Sequence, residues 1–122
     1  MSLTYQEALD FLHGIPRFGK KPGLRRIRRL LERMGNPQDT LRFIHVAGTN
    51  GKGSTCAMVS RVLARAGYRT GLYISPFVLD FRERIQVDGE MIAPQDLVQS
   101  TALVKSHWDA LNAEGEPPSE FE

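Results

Sequence analysis

The sequence predicts an α/β fold in which parallel strands flanked by helices, together with a β-hairpin, are arranged around a phosphate-binding loop. Three observations carry that expectation. The apolar run Phe43 to Ala47 leads directly into the glycine-rich turn Gly48-Thr49-Asn50-Gly51-Lys52-Gly53-Ser54, and a segment of helical periodicity follows. Thr70 to Ile74 then reads as a second strand, which makes the unit β-loop-α-β with a right-handed crossover. Finally, Asp88-Gly89 stands between Arg84–Val87 and Met91-Ile92, the signal of a tight hairpin.

In chain order, Thr4 can cap a first helix, with Glu7 three residues later completing a capping box. Tyr5, Ala8, Leu9 and Leu12 form its apolar stripe, and Gly14 and Pro16 end it. The loop Ile15–Gly23 leads to a second helix, Leu24–Met34, stopped by Gly35 and Asn36-Pro37. Arg42 to Ala47 is apolar inside except for His45, as a parallel strand covered on both faces requires. His45 there reads as a packed histidine rather than a catalyst. The helix after the loop carries Met58, Val59, Val62, Leu63 and Ala66 on one side, with Gly67 placed for a left-handed C-terminal cap. Pro94 can start a last helix through Leu97, Leu103, Val104 and Leu111. The tail, Ala113–Glu122, with its prolines and glutamates, reads as a mobile end or a severed connection.

The loop between the strand and its helix has the chemistry of a phosphate cradle. Its glycines let successive backbone N–H groups converge on an anion, and the first helical turn adds unpaired amides and a partial positive charge. Lys52 supplies a full charge for the outer phosphates of ATP, and the hydroxyl of Ser54 or Thr55 can reach a magnesium ion. The general pattern for such loops has glycine where Val46 stands, and Ser or Thr directly after the lysine, where Gly53 stands. In open sheets, ligands bind at the carboxyl ends of parallel strands, so Gly48–Ser54 and Ser75-Pro76 are expected to face one cleft.

Composition sets outer bounds. The chain has 122 residues, 41% hydrophobic and 25% charged, which is ordinary for a globular protein. Its one cysteine, Cys56, can form neither an internal disulfide nor a metal cluster. Glu7 and Asp10 near the start, and the lack of a long apolar run, argue against a secretory signal or a membrane span, so a cytoplasmic location is expected. The net charge of +2 conceals an asymmetry, with basic residues dense from Arg17 to Arg33 and only acidic ones from Asp109 onward. Leu24, Ile27, Leu31 and Met34 recur at helical intervals, which leaves Arg25, Arg26, Arg28, Arg29 and Arg33 as a solvated face. No aromatic platform or reading motif accompanies them, which argues against a nucleic-acid partner.

The variant loop Gly-Thr-Asn-Gly-Lys-Gly-Ser, preceded by His45-Val46-Ala47, resembles the phosphate loop of folylpolyglutamate synthases and dihydrofolate synthases, members of the Mur ligase superfamily. Ile15-Pro16-Arg17-Phe18-Gly19-Lys20-Lys21-Pro22-Gly23-Leu24 resembles the loop that opens the family's second helix, and it argues against a different Mur-type ligase. Tyr73-Ile74-Ser75-Pro76-Phe77-Val78, with Phe81-Arg82-Glu83-Arg84-Ile85 beyond it, resembles the family's Ser-Pro loop and the strand that follows. Phe77 stands where many members carry histidine, so no imidazole role carries over.

The resemblance implies an ATP-dependent ligase that adds L-glutamate to a folate (tetrahydrofolate or dihydropteroate) through an acyl phosphate. Gly48, Thr49, Asn50, Gly51, Lys52, Gly53 and Ser54 would bind ATP, with Lys52 acting on the transferred phosphate. Ser75, with Ser54, would hold Mg2+. Phe77 and Arg82 would approach the folate, although Phe77 could instead plug the core and Arg82 pair with Asp80 or Glu83. Asp80 and Glu83 are adjacent carboxylates with no assigned acid–base role. The resemblance runs from about Leu3 to Leu97 and corresponds only to the beginning of such proteins. No apolar strand ends in the acidic magnesium ligand such a site requires. Residues 1–122 are therefore expected to be the N-terminal part of a Mur-ligase-like ATP-binding domain, without the glutamate-binding domain and inactive alone. The rival readings are a nucleotide-binding module without ligase activity and a basic nucleic-acid adaptor.

Overall fold

The computed structural model describes residues 2–17 and 23–122. The chain divides into two compact units: Met1–Arg42 with Leu97–Glu122, and Phe43–Asp96.

The first unit is helical. In α1 (Tyr5–Gly14), the Thr4 hydroxyl accepts from the Glu7 amide while the Glu7 carboxylate accepts from the Thr4 amide, the expected capping box. α2 (Arg25–Arg33) ends at Gly35 and Asn36, both at positive φ, followed by a short 3-10 turn at Pro37–Thr40. The expected stripe is only partly realised: Ile27, Leu31 and Met34 are half-buried, Leu24 is exposed, and the buried residue of this helix is Leu30. The loop before α2 falls largely outside the described residues. The last helix, Pro94–Ala113, starts at the expected proline; from Leu97 onward it supplies the buried Leu97, Thr101 and Leu111. Every buried residue among the described ones, Ala8, Leu30 and Pro118 included, belongs to this unit.

The tail departs from expectation. It folds back along the basic face of α2: Glu114 pairs with Arg29 and Arg33, Glu116 with Arg25 and Arg29, and Glu122 with Arg26 at 2.9 Å. The Trp108 indole N–H donates to the Pro118 carbonyl at 2.9 Å, and the Glu120 amide donates to the Pro16 carbonyl. Complementary charge accounts for the order. Three glutamates separated in sequence from the arginines find them in space, which composition alone could not show.

The second unit carries α3 (Lys52–Arg65), then β1 (Gly71–Tyr73), a 3-10 turn at Phe81–Arg84, β2 (Ile85–Val87) and β3 (Glu90–Met91). The helix ends with Gly67 at φ +93°, the anticipated left-handed cap. β2 and β3 form the expected hairpin, with Asp88 and Gly89 both at positive φ.

The pairing of the sheet is a correction. Among the described residues all three strands run antiparallel in the order β1-β2-β3, with Leu72 opposite Gln86. The segment 43–47 joins no ladder, so the parallel partner expected for Thr70–Ile74 is not formed. A parallel strand is stable only when covered on both faces, and here Phe43 is 70% and Ile44 66% exposed. His45, expected to be packed, is exposed as well. The apolar stripe of α3 is present but uncovered, with Met58 and Val62 more than 60% exposed.

Candidate functional site

Gly51 is the N-cap of α3 and sits at φ +77°, a left-handed conformation that a side chain would strain. No side chain caps this helix. The first intrahelical bond runs from the Thr55 amide to the Gly51 carbonyl at 2.9 Å, so the amides of Gly51, Lys52, Gly53 and Ser54 have no helical acceptor. α1 shows the contrast, because its first turn is closed by its own capping box. An uncapped helix start with a glycine at the cap presents several N–H donors and a partial positive charge to one point, which suits a phosphate.

Lys52 occupies the first position of the helix and reaches back over the loop. Its ammonium donates to the Gly48 carbonyl at 2.6 Å, closing the turn from Gly48 to Gly51. Space for an anion remains open: a methyl group added at Gly51 or Gly53 would meet nothing within 4 Å. Thr49, Asn50, Ser54 and Thr55 are all exposed.

Ser75 lies two residues beyond β1 and is also exposed, on a cis Ser75–Pro76 peptide. Because 43–47 is not laddered to β1, the parallel-sheet argument that placed this serine beside the phosphate loop does not apply. No hydrogen bond joins Ser75 to the loop among the described residues.

Beyond Ser75 the chain makes a compact turn organised by a residue to which the sequence assigned no role. The Glu83 carboxylate accepts the amides of Val78, Leu79 and Asp80, each at 2.8 Å, and these bonds hold its pKa below the ordinary carboxylate value. Asp80 caps the 3-10 turn and takes the Arg82 guanidinium at 2.7 Å, which lowers its pKa as well. Arg82 also reaches the Ile92 carbonyl, so this guanidinium is engaged with the hairpin. The two carboxylates are thus structural, and Val78 and Leu79 are held at the tip, 83% and 90% exposed.

Phe77 meets Phe81 edge-on at 5.8 Å. The Arg84 guanidinium lies over both rings, 5.4 and 5.5 Å from their centroids, and its buried Nε has no hydrogen-bond partner. Sequence reasoning missed Arg84. The spacing of Phe77, Phe81 and Arg84 was its only signal, and that signal means nothing until the 3-10 turn brings the three together.

Among the described residues there is no group of three His, Cys, Asp or Glu side chains able to hold a metal, and no helix is long and apolar enough to cross a membrane.

No protein-family model matches the chain. Individual proteins do. The dihydrofolate synthase/folylpolyglutamate synthase of Bacillus subtilis is 43% identical over 123 residues, which takes in 100% of this chain and 29% of the relative. The crystal structure of folylpolyglutamate synthase from Thermotoga maritima superposes with a TM-score of 0.87 at 42% identity, covering 96% of this chain and 27% of that one. A folylpolyglutamate synthase in complex with AMPPCP and folate superposes with a TM-score of 0.90 at 40% identity, covering 98% and 30%. The chain therefore spans less than a third of the length of the relatives it matches. At these identities and scores the likeness is one of descent. In sequence and in fold, the chain is homologous to the N-terminal portion of the folylpolyglutamate synthases and dihydrofolate synthases.

Proposed function

We propose that this chain provides the phosphate-binding portion of an ATP-dependent ligase that joins L-glutamate to a folate, tetrahydrofolate or dihydropteroate. The observation that carries the reading is the uncapped start of α3, with Lys52 folded onto Gly48, in a chain homologous to such ligases. Residues 1–122 then belong to the N-terminal part of a Mur-ligase-like ATP-binding domain. The amides of Gly51 to Ser54 would receive the phosphates of ATP. Lys52 would exchange the Gly48 carbonyl for a phosphate oxygen, gaining a charge-assisted bond in place of a neutral one. Thr49 and Asn50 would close the loop over the nucleotide.

The hydroxyls of Ser54 and Ser75 fit Mg2+ only in part. They are exposed neutral oxygens, and a magnesium ion commonly adds carboxylate, water and phosphate ligands. Mg2+ bound there would offset charge on the transferred phosphate. Phe77 and Arg82 are the candidate folate contacts, supported by family resemblance and by their place on the ordered turn after Ser75. A cytoplasmic location fits substrates of this kind. On this reading residues 1–122 alone would bind nucleotide weakly at most and would not complete the ligation, because they span less than a third of the length of the relatives they match.

Calorimetric titration with Mg-ATP tests the reading, run beside Lys52→Ala after both proteins show cooperative melting. Saturable binding that weakens at least ~10-fold in the variant, a loss of ~1.4 kcal/mol or more, is the expected result. Equal binding by the two proteins would remove Lys52 from the site. Incubation of the chain with tetrahydrofolate, Mg-ATP and glutamate is expected to yield no product; turnover would show that the site is complete. The nucleic-acid reading loses support, because glutamates of the tail occupy Arg25, Arg26, Arg29 and Arg33.

A further inference from the structure

The opposite end of α3 holds a second cluster of basic groups that the phosphate loop does not use. Arg61 and Arg65 stand one turn apart on the helix, and Arg69 follows its cap. With Tyr68 and the hairpin turn Asp88-Gly89 they line an open cavity of about 480 Å³. The cavity lies wholly within the Phe43–Asp96 unit. α3 rises ~1.5 Å per residue, which places Arg65 ~20 Å along the axis from Lys52.

Three features separate this cluster from an ordinary solvated face. First, none of the three arginines forms an ion pair among the described residues, whereas Arg25, Arg26, Arg29 and Arg33 of α2 are all paired. Second, the wall is shaped. Gly89 has φ +84°, and a methyl group there would come within 3.0 Å of an Arg61 terminal nitrogen, so the absence of a side chain lets the guanidinium lie against the turn. Third, the single acidic lining residue is already engaged, as Asp88 Oδ1 accepts the Thr70 amide at 2.8 Å. One arginine in the last helical turn is enough to offset the helix dipole; Arg61 and Arg69 go beyond that need.

We infer that this cavity is a second anion site, and that its ligand is a polyphosphate. Three guanidinium groups against one carboxylate leave a local charge of +2, which calls for a multiply charged anion. Each guanidinium offers a planar fork that matches phosphate oxygens two at a time. The volume falls within the range of small-ligand sites and is too large for one carboxylate or one phosphate to fill. This site is independent of the phosphate-loop reading.

The test is calorimetric titration of the Lys52→Ala chain with sodium tripolyphosphate, which takes the phosphate loop out of the measurement. One saturable site is expected to remain. Arg61→Gln combined with Arg65→Gln should weaken it at least ~10-fold, while the melting temperature stays close to that of the parent because both side chains are exposed. Arg28→Gln with Arg42→Gln removes the same charge elsewhere and should change binding less than ~2-fold. An equal fall in both double variants would reduce the effect to net charge and overturn the site. Loss of all binding with Lys52→Ala alone would overturn it too, by assigning the anion to the phosphate loop.

Discussion

Lys52 rests on a neutral carbonyl of its own loop, a bond weaker than the charge-assisted one that the proposed phosphate would offer it. Glu83 is the opposite case, since its charged carboxylate accepts three backbone amides, Val78 on one oxygen and Leu79 and Asp80 on the other. Glu83→Gln keeps the shape but replaces one accepting oxygen with a donor. Faster amide hydrogen exchange at Val78, Leu79 or Asp80 is the expected outcome, with α1 unaffected. Unchanged exchange across the turn would show that packing of Phe77 and Phe81 holds it instead. At the other end of the chain, Thr4→Ala removes the hydroxyl of the α1 capping box and should cost about 1 kcal/mol in denaturant unfolding. A loss well below that would mean α1 is held by its buried Ala8 face alone.

At the level of elements, the contact between α2 and the tail depends on charge and therefore on pH. Glu114 is held below its ordinary value of 4.5, first by the bond from Arg29 and then by the nearby charges of Arg29 and Arg33. For Glu122, burial pushes upward, but bonds from Arg26 and Ser119 outweigh it and the net shift is again downward. A carboxylate with a lowered folded pKa contributes stability above its unfolded value, and that contribution is lost as pH falls through the lower folded value. The tail should thus stay docked at neutral pH and detach progressively below about pH 4.5. Trp108, the only tryptophan, reports on this because it bonds Pro118 and meets the Phe11 ring at 5.5 Å. Its emission should move to the red across that window. In Arg29→Gln the midpoint should move to higher pH, since Glu114 loses its main stabilising partner. A pH-invariant spectrum would assign the docking to apolar contact.

Across the whole molecule, stability is divided unequally. The Met1–Arg42 and Leu97–Glu122 unit contains every buried residue among the described ones, whereas the Phe43–Asp96 unit has none. Local opening is easiest where few apolar groups are buried. Hydrogen exchange followed by mass spectrometry should show α1 and the last helix, Pro94–Ala113, protected well beyond α3 and the hairpin. Saturating Mg-ATP should add protection chiefly at the start of α3, because a ligand stabilises the state it binds. Equal protection of both units without ligand would contradict the burial pattern.

Local chemistry made much of this legible in the sequence. The capping box at Thr4, the cap at Gly67, the turn at Asp88-Gly89 and the loop from Gly48 to Ser54 depend on residues within a few positions of one another, so neighbouring identities decide them. What was not legible depends on partners distant in the chain. The apolar run Phe43 to Ala47 reads as a covered strand, yet its coverage is a property of what lies across from it, and none of the described residues ladders with it. The tail reads as unstructured until the arginines of α2 are seen beside it. Likewise Arg84 acquires meaning only when a 3-10 turn lays it across two phenylalanine rings. The sequence by itself determined the helices, their ends and the glycine-rich turn that starts α3, because those are short-range hydrogen-bond problems. Only the tertiary structure decided which strands pair, which charges meet and which apolar faces stay bare, because those depend on groups that folding brings together from far along the chain.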